Sequence, residues 1–170
     1  MDKNILLTGK PGCGKTTLIR RVLERLTEID SGGFYTQEIR KGKVRVGFRI
    51  TALDGKTGVL AHVDYKGRFR VGKYFVNIED IDEIGVKSIL DSLKKDLIVV
   101  DEIGKMELFS EKFRDAVLRA LDTGRVLGTI RLGKDPFVEG IRGRRDVEII
   151  LVTLENRDFL VDEVIRKIKG

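Results

Sequence analysis

Residues 9 to 16 read Gly9-Lys10-Pro11-Gly12-Cys13-Gly14-Lys15-Thr16, and no other stretch of the chain restricts its fold so tightly. The spacing fits G-x-x-x-x-G-K-[ST], a loop whose backbone N–H groups wrap a polyphosphate. Gly12 and Gly14 carry no Cβ, so the chain can turn sharply and aim several amides at one anion. Lys15 is placed to reach the β- and γ-phosphates as a cation, and the Thr16 hydroxyl to ligand Mg²⁺. A helix starting here would add its positive N-terminal end to the same anion. The flanks supply the context that such a loop needs. Asn4-Ile5-Leu6-Leu7-Thr8 is an apolar run of strand length. Leu18, Ile19, Val22, Leu23, Leu26 and Ile29 then recur as one face of a helix, with Arg20, Arg21, Glu24, Arg25 and Glu28 opposite. Strand, glycine loop and helix together outweigh the reading of a glycine-rich connection without a ligand.

A length of 170 residues suits a single domain, 1–170, with a full core. Hydrophobic residues at 41% and charged residues at 35% place it among soluble globular chains, and no stretch approaches the ~20 apolar residues of a membrane span. Met1-Asp2-Lys3 runs straight into the first strand, so no signal peptide is expected. Cys13 is the only cysteine, which suits a reducing cytoplasm. At a variable position of the loop it reads as a small tolerated side chain rather than a redox group. Abundant Lys, Arg and Glu with a single Gln resemble the composition of heat-adapted proteins. The net charge of +6 raises the question of nucleic acid, which is not favoured. Basic and acidic residues alternate along much of the chain, and the densest basic cluster, Arg142-Gly143-Arg144-Arg145, has no aromatic neighbour on which a base could stack.

After the first helix the pattern changes to strands: Phe34 to Ile39, Val44 to Ala52 and Gly58 to Val63, with the Asp54-Gly55 turn signal between two of them. Arg68 to Phe75 reads as a further strand or a tight loop. Together they predict a β-rich insertion at about 33–78. The second half alternates. A helix over Asp82 to Lys94, with Ile84, Ile89, Leu90 and Leu93 inward, leads to the strand Leu97 to Val100. A helix from Ser110 (Phe113, Ala116, Val117, Ala120 and Leu121 on one face) leads to Arg125–Ile130. A basic loop or short helix, the strand Val147 to Val152, and a helix carrying Phe159, Leu160, Val164, Ile165 and Ile168 complete the chain. Apolar strands alternating with helices imply an α/β fold, a mostly parallel central sheet covered on both faces and extended by antiparallel strands.

The strand at Leu97 runs into a second motif, Val99-Val100-Asp101-Glu102-Ile103-Gly104-Lys105. Sheets of this kind place ligands at the carboxyl ends of their strands, which would bring Asp101 to the glycine loop as a Walker B aspartate for Mg²⁺. Side chains alternate along a strand, so Glu102 should point elsewhere and can orient and deprotonate an attacking water. Helix capping or plain solubility is the competing reading of this pair. Asp101-Glu102-Ile103-Gly104 also fits the D-x-x-G of a GTPase switch, but the base-reading N-K-x-D is missing. Asn156-Arg157-Asp158 is the nearest candidate for base contact, and Asn156 is equally suited to cap the last helix. Candidates for a transition-state cation are Lys105, Arg131 and Arg142, with Arg144 and Arg145 nearby; the stretch Ile141 to Arg145 could fold over the site as a lid. The lone histidine, His62, reads as structural.

The block Val100-Asp101-Glu102-Ile103-Gly104-Lys105-Met106-Glu107-Leu108, taken with Gly9–Thr16, Gly33-Phe34, Arg70 to Tyr74, Gly128-Thr129-Ile130 and Thr153 to Arg157, resembles the thermophile nucleoside-triphosphatase family, whose eukaryotic members are the cancer-related nucleoside triphosphatases. The likeness runs the length of the chain in one order. It departs after Gly128-Thr129, where Ile130-Arg131 stands in place of an expected Ile-Pro. The resemblance implies a P-loop NTPase three-layer sandwich. It also implies Mg²⁺-dependent hydrolysis of ATP, GTP, CTP and UTP to diphosphate and phosphate, with Gly9 to Thr16 holding the phosphates and Asp101 and Glu102 forming the metal and water site. The expected partners are nucleoside triphosphates, with no membrane, and the chain is expected to act as a monomer. A nucleotide or small-molecule kinase and a nucleic-acid-stimulated ATPase are the alternatives. No second substrate pocket is evident from the residues, and the Asp-Glu pair suits water activation better than a kinase.

Overall fold

The computed structural model describes every residue from Met1 to Gly170. Nine strands make one sheet: β1 (Asn4–Thr8), β2 (Ser31–Lys41), β3 (Val44–Ala52), β4 (Thr57–His62), β5 (Arg70–Val71), β6 (Tyr74–Val76), β7 (Leu97–Ile103), β8 (Val126–Ile130) and β9 (Val147–Leu151). Their order is β5-β6-β4-β3-β2-β7-β8-β1-β9. From β2 to β9 the neighbours run parallel, and from β2 to β5 they run antiparallel. The antiparallel region grows out of the parallel sheet: Ser31 to Phe34 pair with β7, while Phe34 to Lys41 pair with β3.

Six α-helical segments cover the sheet: α1 (Lys15–Arg25), α2 (Ile78–Asp80), α3 (Lys87–Leu90), α4 (Glu111–Asp122), α5 (Pro136–Arg142) and α6 (Arg157–Lys169). The alternation of each parallel strand explains the layers. Leu6, Ile98 and Val100 turn to one face and meet Phe113, Ala116 and Val117 of α4. Ile5, Leu7, Leu97 and Val99 turn to the other and meet Leu18, Ile19 and Val22 of α1 with Leu160 and Val164 of α6. Both faces are dry, which is why these strands read as continuous apolar runs. The sheet is α/β, mostly parallel on one side and antiparallel on the other, as the alternation predicted. No helix is long and apolar enough to cross a membrane.

Three local expectations are corrected. The helix placed at Asp82 to Lys94 begins at Ile78 and ends at Leu90, with a π-helical stretch, Ile81–Val86, joining α2 to α3. The wider π turn rotates the face, so Ile81, Val86 and Ile89 are buried while Leu90 is exposed. Phe159 lies on the solvent side of α6, 79% exposed, because the buried stripe runs through Leu160, Val161, Val164, Ile165 and Ile168. Arg68 to Phe75 is a tight hairpin, β5 and β6, turning at Gly72. Next to the sheet's edge strand β9, Asn4, fully buried, pins the start of β1. Its amide donates to Leu121 O (2.9 Å) and Asp146 O (3.0 Å), and its Oδ1 accepts from Val126 N–H (3.0 Å).

Candidate active site

β1 delivers the glycine loop. Thr8 O accepts from Val152 N–H (2.8 Å), fixing the loop's entry against the exit of β9. The loop ends at Gly14, the N-cap of α1, at φ 98°. A side chain there would be strained, and a Cβ would press on the Arg157 side chain at 3.2 Å. Lys15 spans the loop, its Nζ donating to Gly9 O (2.7 Å) and Lys10 O (3.3 Å). Cys13 is buried in the apolar layer beneath α1, a packing position consistent with its bland reading.

β7 delivers the carboxylates. Between Val100 and Ile103 its register against β8 slips, an irregularity of the kind that re-aims side chains beside active sites. Asp101 is 1% exposed. Its Oδ2 accepts from the Thr16 hydroxyl and its Oδ1 from the Thr129 hydroxyl, both at 2.7 Å. Burial pushes the Asp101 carboxyl above the usual carboxylate range, and the two hydroxyls and the Lys15 charge pull it partly back. Glu102 is less deeply set. Burial and the neighbouring Asp101 charge raise its carboxyl, and Lys15 and Arg131 oppose that rise. The strand predicted at Leu97 to Val100 therefore continues through both acids, and it brings Asp101 to the P-loop threonine.

Other candidates have different employment. The Arg142 guanidinium donates to Gly133 O (2.9 Å) and to Arg131 O and pairs with Glu139 (3.0 Å), so it braces the loop after β8. Arg144 is held by Asp122 and Asp146. Of the candidate transition-state cations only Arg131 acts on the Glu102 carboxyl, alongside the loop's Lys15. Lys105 is exposed at the rim of a cavity beside it. Asn156 stands at the N-cap position of α6 without a side-chain cap bond. Its Oδ1 accepts from Thr153 N–H (2.8 Å) and its Nδ2 donates to Leu151 O (2.9 Å), so the amide shapes the loop. Arg157 lies over the loop's end at Gly14. Beside Lys10 to Cys13 opens a pocket of about 460 Å³ lined in part by Leu132, Leu151 and Leu154, all three well exposed. His62 Nδ1 accepts from Asp64 N–H (3.0 Å), a turn contact.

Three features escaped the sequence reading as site components. Thr129 is the only side chain able to hydrogen-bond in the buried run Val126 to Ile130, and that anomaly could have marked it. The leucines of the pocket carried no signal, since single exposed leucines are ordinary. Glu107, 4% exposed, sits in a 3₁₀ turn, Glu107–Phe109, and accepts from Gly104 N–H (2.9 Å); an acid in a turn reads as a solvated one.

With β8 lying between the loop-bearing β1 and the carboxylate-bearing β7, the fold is that of P-loop NTPases whose second motif ends in Asp-Glu. Comparison with known proteins narrows this class. A family model described as NTPase matches residues 4–165. Over 167 residues the chain is 50% identical to nucleoside-triphosphatase THEP1 of Thermotoga maritima, covering 97% of this chain and 95% of that one. It is 38% identical to the human cancer-related nucleoside-triphosphatase, covering 97% and 96%. The crystal structure of THEP1 from Aquifex aeolicus superposes with a TM-score of 0.88 at 34% identity, over 98% of this chain and 99% of that one. The chain belongs to this nucleoside-triphosphatase family and is an enzyme of that class.

Proposed function

We propose that the enzyme hydrolyses nucleoside triphosphates with the help of Mg²⁺, releasing nucleoside diphosphate and phosphate with little regard for the base. The observation that carries this reading is the chain Thr16–Asp101–Thr129, which joins the P-loop hydroxyl to the strand-end carboxylate at 2.7 Å on either side. The donors are hard oxygens, suited to Mg²⁺. No cluster of three or more His, Cys, Asp or Glu side chains is placed to hold an ion alone, so the remaining ligands would come from phosphate and water. Thr16 and Asp101 would hold the ion, which supplies charge neutralisation on the β- and γ-phosphates.

The protein's own groups do the rest. The loop amides of Gly9 to Thr16 and the Lys15 ammonium bind the phosphates. Glu102 orients a water and takes its proton as the water oxygen bonds to the γ-phosphorus and the bond to the β–γ bridging oxygen breaks. Arg131, close enough to lower Glu102's proton affinity, is the cation best placed to act on charge developing there. Base tolerance is supported by the pocket of Leu132, Leu151 and Leu154, which offers apolar contact to any ring face, while Asn156 gives one donor and one acceptor to the backbone. Phosphate release from ATP, GTP, CTP and UTP, with Mg²⁺ and with EDTA, tests the reading. Release from all four that EDTA abolishes is expected, with Lys15→Ala losing nucleotide binding and Glu102→Gln keeping binding while turnover falls by about 10²- to 10⁴-fold. Normal turnover in Glu102→Gln would remove the glutamate from this role.

A further inference from the structure

A cavity of about 250 Å³ opens beside Asp101 and Glu102. Hydrolysis needs room for one water, whose share of liquid volume is about 30 Å³. Thr16 and Asp101, the residues proposed to hold Mg²⁺, border one end, so the ion and the γ-phosphate share this space with that water; the walls of the other end are wrong for a water reservoir. The antiparallel half of the sheet supplies Phe48 of β3, Leu60 of β4 and Val71 of β5, and Met106 adds a fourth apolar side chain. Apolar walls around a polar reaction centre are the composition of a small-molecule site.

The polar end of the cavity is equally specific. Glu102 and Glu107 both border it, and they converge: a Cβ built on Gly104 would stand 2.6 Å from Glu102 Oε2 and 2.7 Å from Glu107 Oε2. Glu107 spends one oxygen on the Gly104 amide. Glu107, 4% exposed, borders the cavity with its carboxyl. Two converging carboxyl groups accept hydrogen bonds from hydroxyls and repel anions.

We propose that this cavity is a phosphoryl-acceptor site, through which the enzyme transfers the γ-phosphoryl group to the hydroxyl of a small uncharged alcohol resting on Phe48, Leu60 and Val71. The acceptor oxygen bonds to the γ-phosphorus as the bond to the β–γ bridging oxygen breaks; the hydroxyl proton passes to the Glu102 carboxylate, the nucleoside diphosphate leaves, and a phosphomonoester is formed. Glu107, whose carboxyl borders the cavity, holds the acceptor by a hydrogen bond. The acids bordering the cavity outnumber its one cation, Lys105, and disfavour phosphorylated and carboxylated acceptors. The inference rests on the reading of Glu102 as the proton acceptor beside a bound triphosphate.

The test follows γ-labelled ATP with Mg²⁺ in the presence of benzyl alcohol or cyclohexanol, with mandelate as the anionic counterpart. ADP, inorganic phosphate and phosphomonoester are measured in the same tube by phosphorus NMR. The two alcohols should give ester in excess of their mole fraction relative to water, and mandelate none. Val71→Trp, which fills the cavity from the hairpin, should lower the ester-to-phosphate ratio by about tenfold or more; the ratio is internal to each sample and is insensitive to loss of folded protein. ADP with inorganic phosphate alone in every tube overturns the acceptor site and leaves hydrolysis standing. Ester formation that Val71→Trp does not diminish overturns the assignment of this cavity. No ADP in any tube overturns both the acceptor site and the hydrolytic reading.

Discussion

Replacing Thr129 with Val removes one hydroxyl from the centre of the site and almost nothing else. The side chain is fully buried, valine has nearly its shape, and the lost group is a single donor to Asp101 Oδ1 at 2.7 Å. A hydrogen bond to a charged group contributes about 1.5–3 kcal/mol, which corresponds to roughly ten- to hundredfold in an equilibrium constant. With Asp101 holding Mg²⁺ as proposed, the Mg²⁺ concentration needed for half-maximal phosphate release should therefore rise by about ten- to hundredfold. The pH profile carries a second signature. Burial already pushes the Asp101 carboxyl up, and the Thr129 hydroxyl is the largest influence drawing it back. Without it Asp101 takes up a proton at a higher pH, so the acid limb of kcat/KM moves toward neutrality. Thr129→Ser, which keeps the hydroxyl, should recover both properties. An unchanged metal requirement and an unchanged acid limb in Thr129→Val would refute the idea that this bond holds Asp101 in its working state.

Other outcomes are expected elsewhere in the molecule. Glu107 lies in a buried turn where burial, with the Glu102 charge added, lifts its carboxyl well above the usual 4.5. Its folded state is thus favoured in acid and loses that advantage as pH rises through the raised value. Glu107→Gln cannot ionise, so thermal melts should show the variant gaining on the parent as pH increases and no gain near pH 4. Asn4→Ala strips three hydrogen bonds from backbone groups, two of them buried. A loss of roughly 3 kcal/mol, or about 6–12 °C in Tm for a chain of this size, is the expected result of calorimetry. Leu154→Ala should raise KM for all four triphosphates alike, by a few-fold, with kcat preserved; a change for one base only would mean that the leucine pocket discriminates.

How much of this was readable in advance depended on the range of the interaction. The P-loop was legible because strand, glycines and helix are contiguous, and the α4 face was legible because Ser110 caps its own helix through Phe113 N–H and the apolar residues follow a regular period. Walker B was legible as an apolar strand ending in two acids. Roles that depend on distant partners were not. Arg142 looked like a catalytic cation and braces a loop ten residues behind it, and Asn156 looked like a cap or base reader while its amide is committed to Leu151 and Thr153. The strand order was hidden for the same reason: nothing in β8 itself announces that it will lie between β1 and β7. The cavity beside Glu102 needed five strands, β2, β3, β4, β5 and β7, to assemble before its walls met.

Time has a place in this fold as well. β2, β3 and β4 pair with their immediate neighbours in sequence, whereas β1 pairs Leu6 with Gly128 and Asn4 with Val147. Closing so long a loop costs more entropy than turning a hairpin, and local pairings form first. The antiparallel meander is thus positioned to form early, and the strand that carries the phosphate loop docks late, after β8 and β9 exist to receive it. A triphosphate gripping Gly9 to Thr16 binds a structure completed on the native side of the folding barrier. It should slow unfolding and leave the rate of folding as it was.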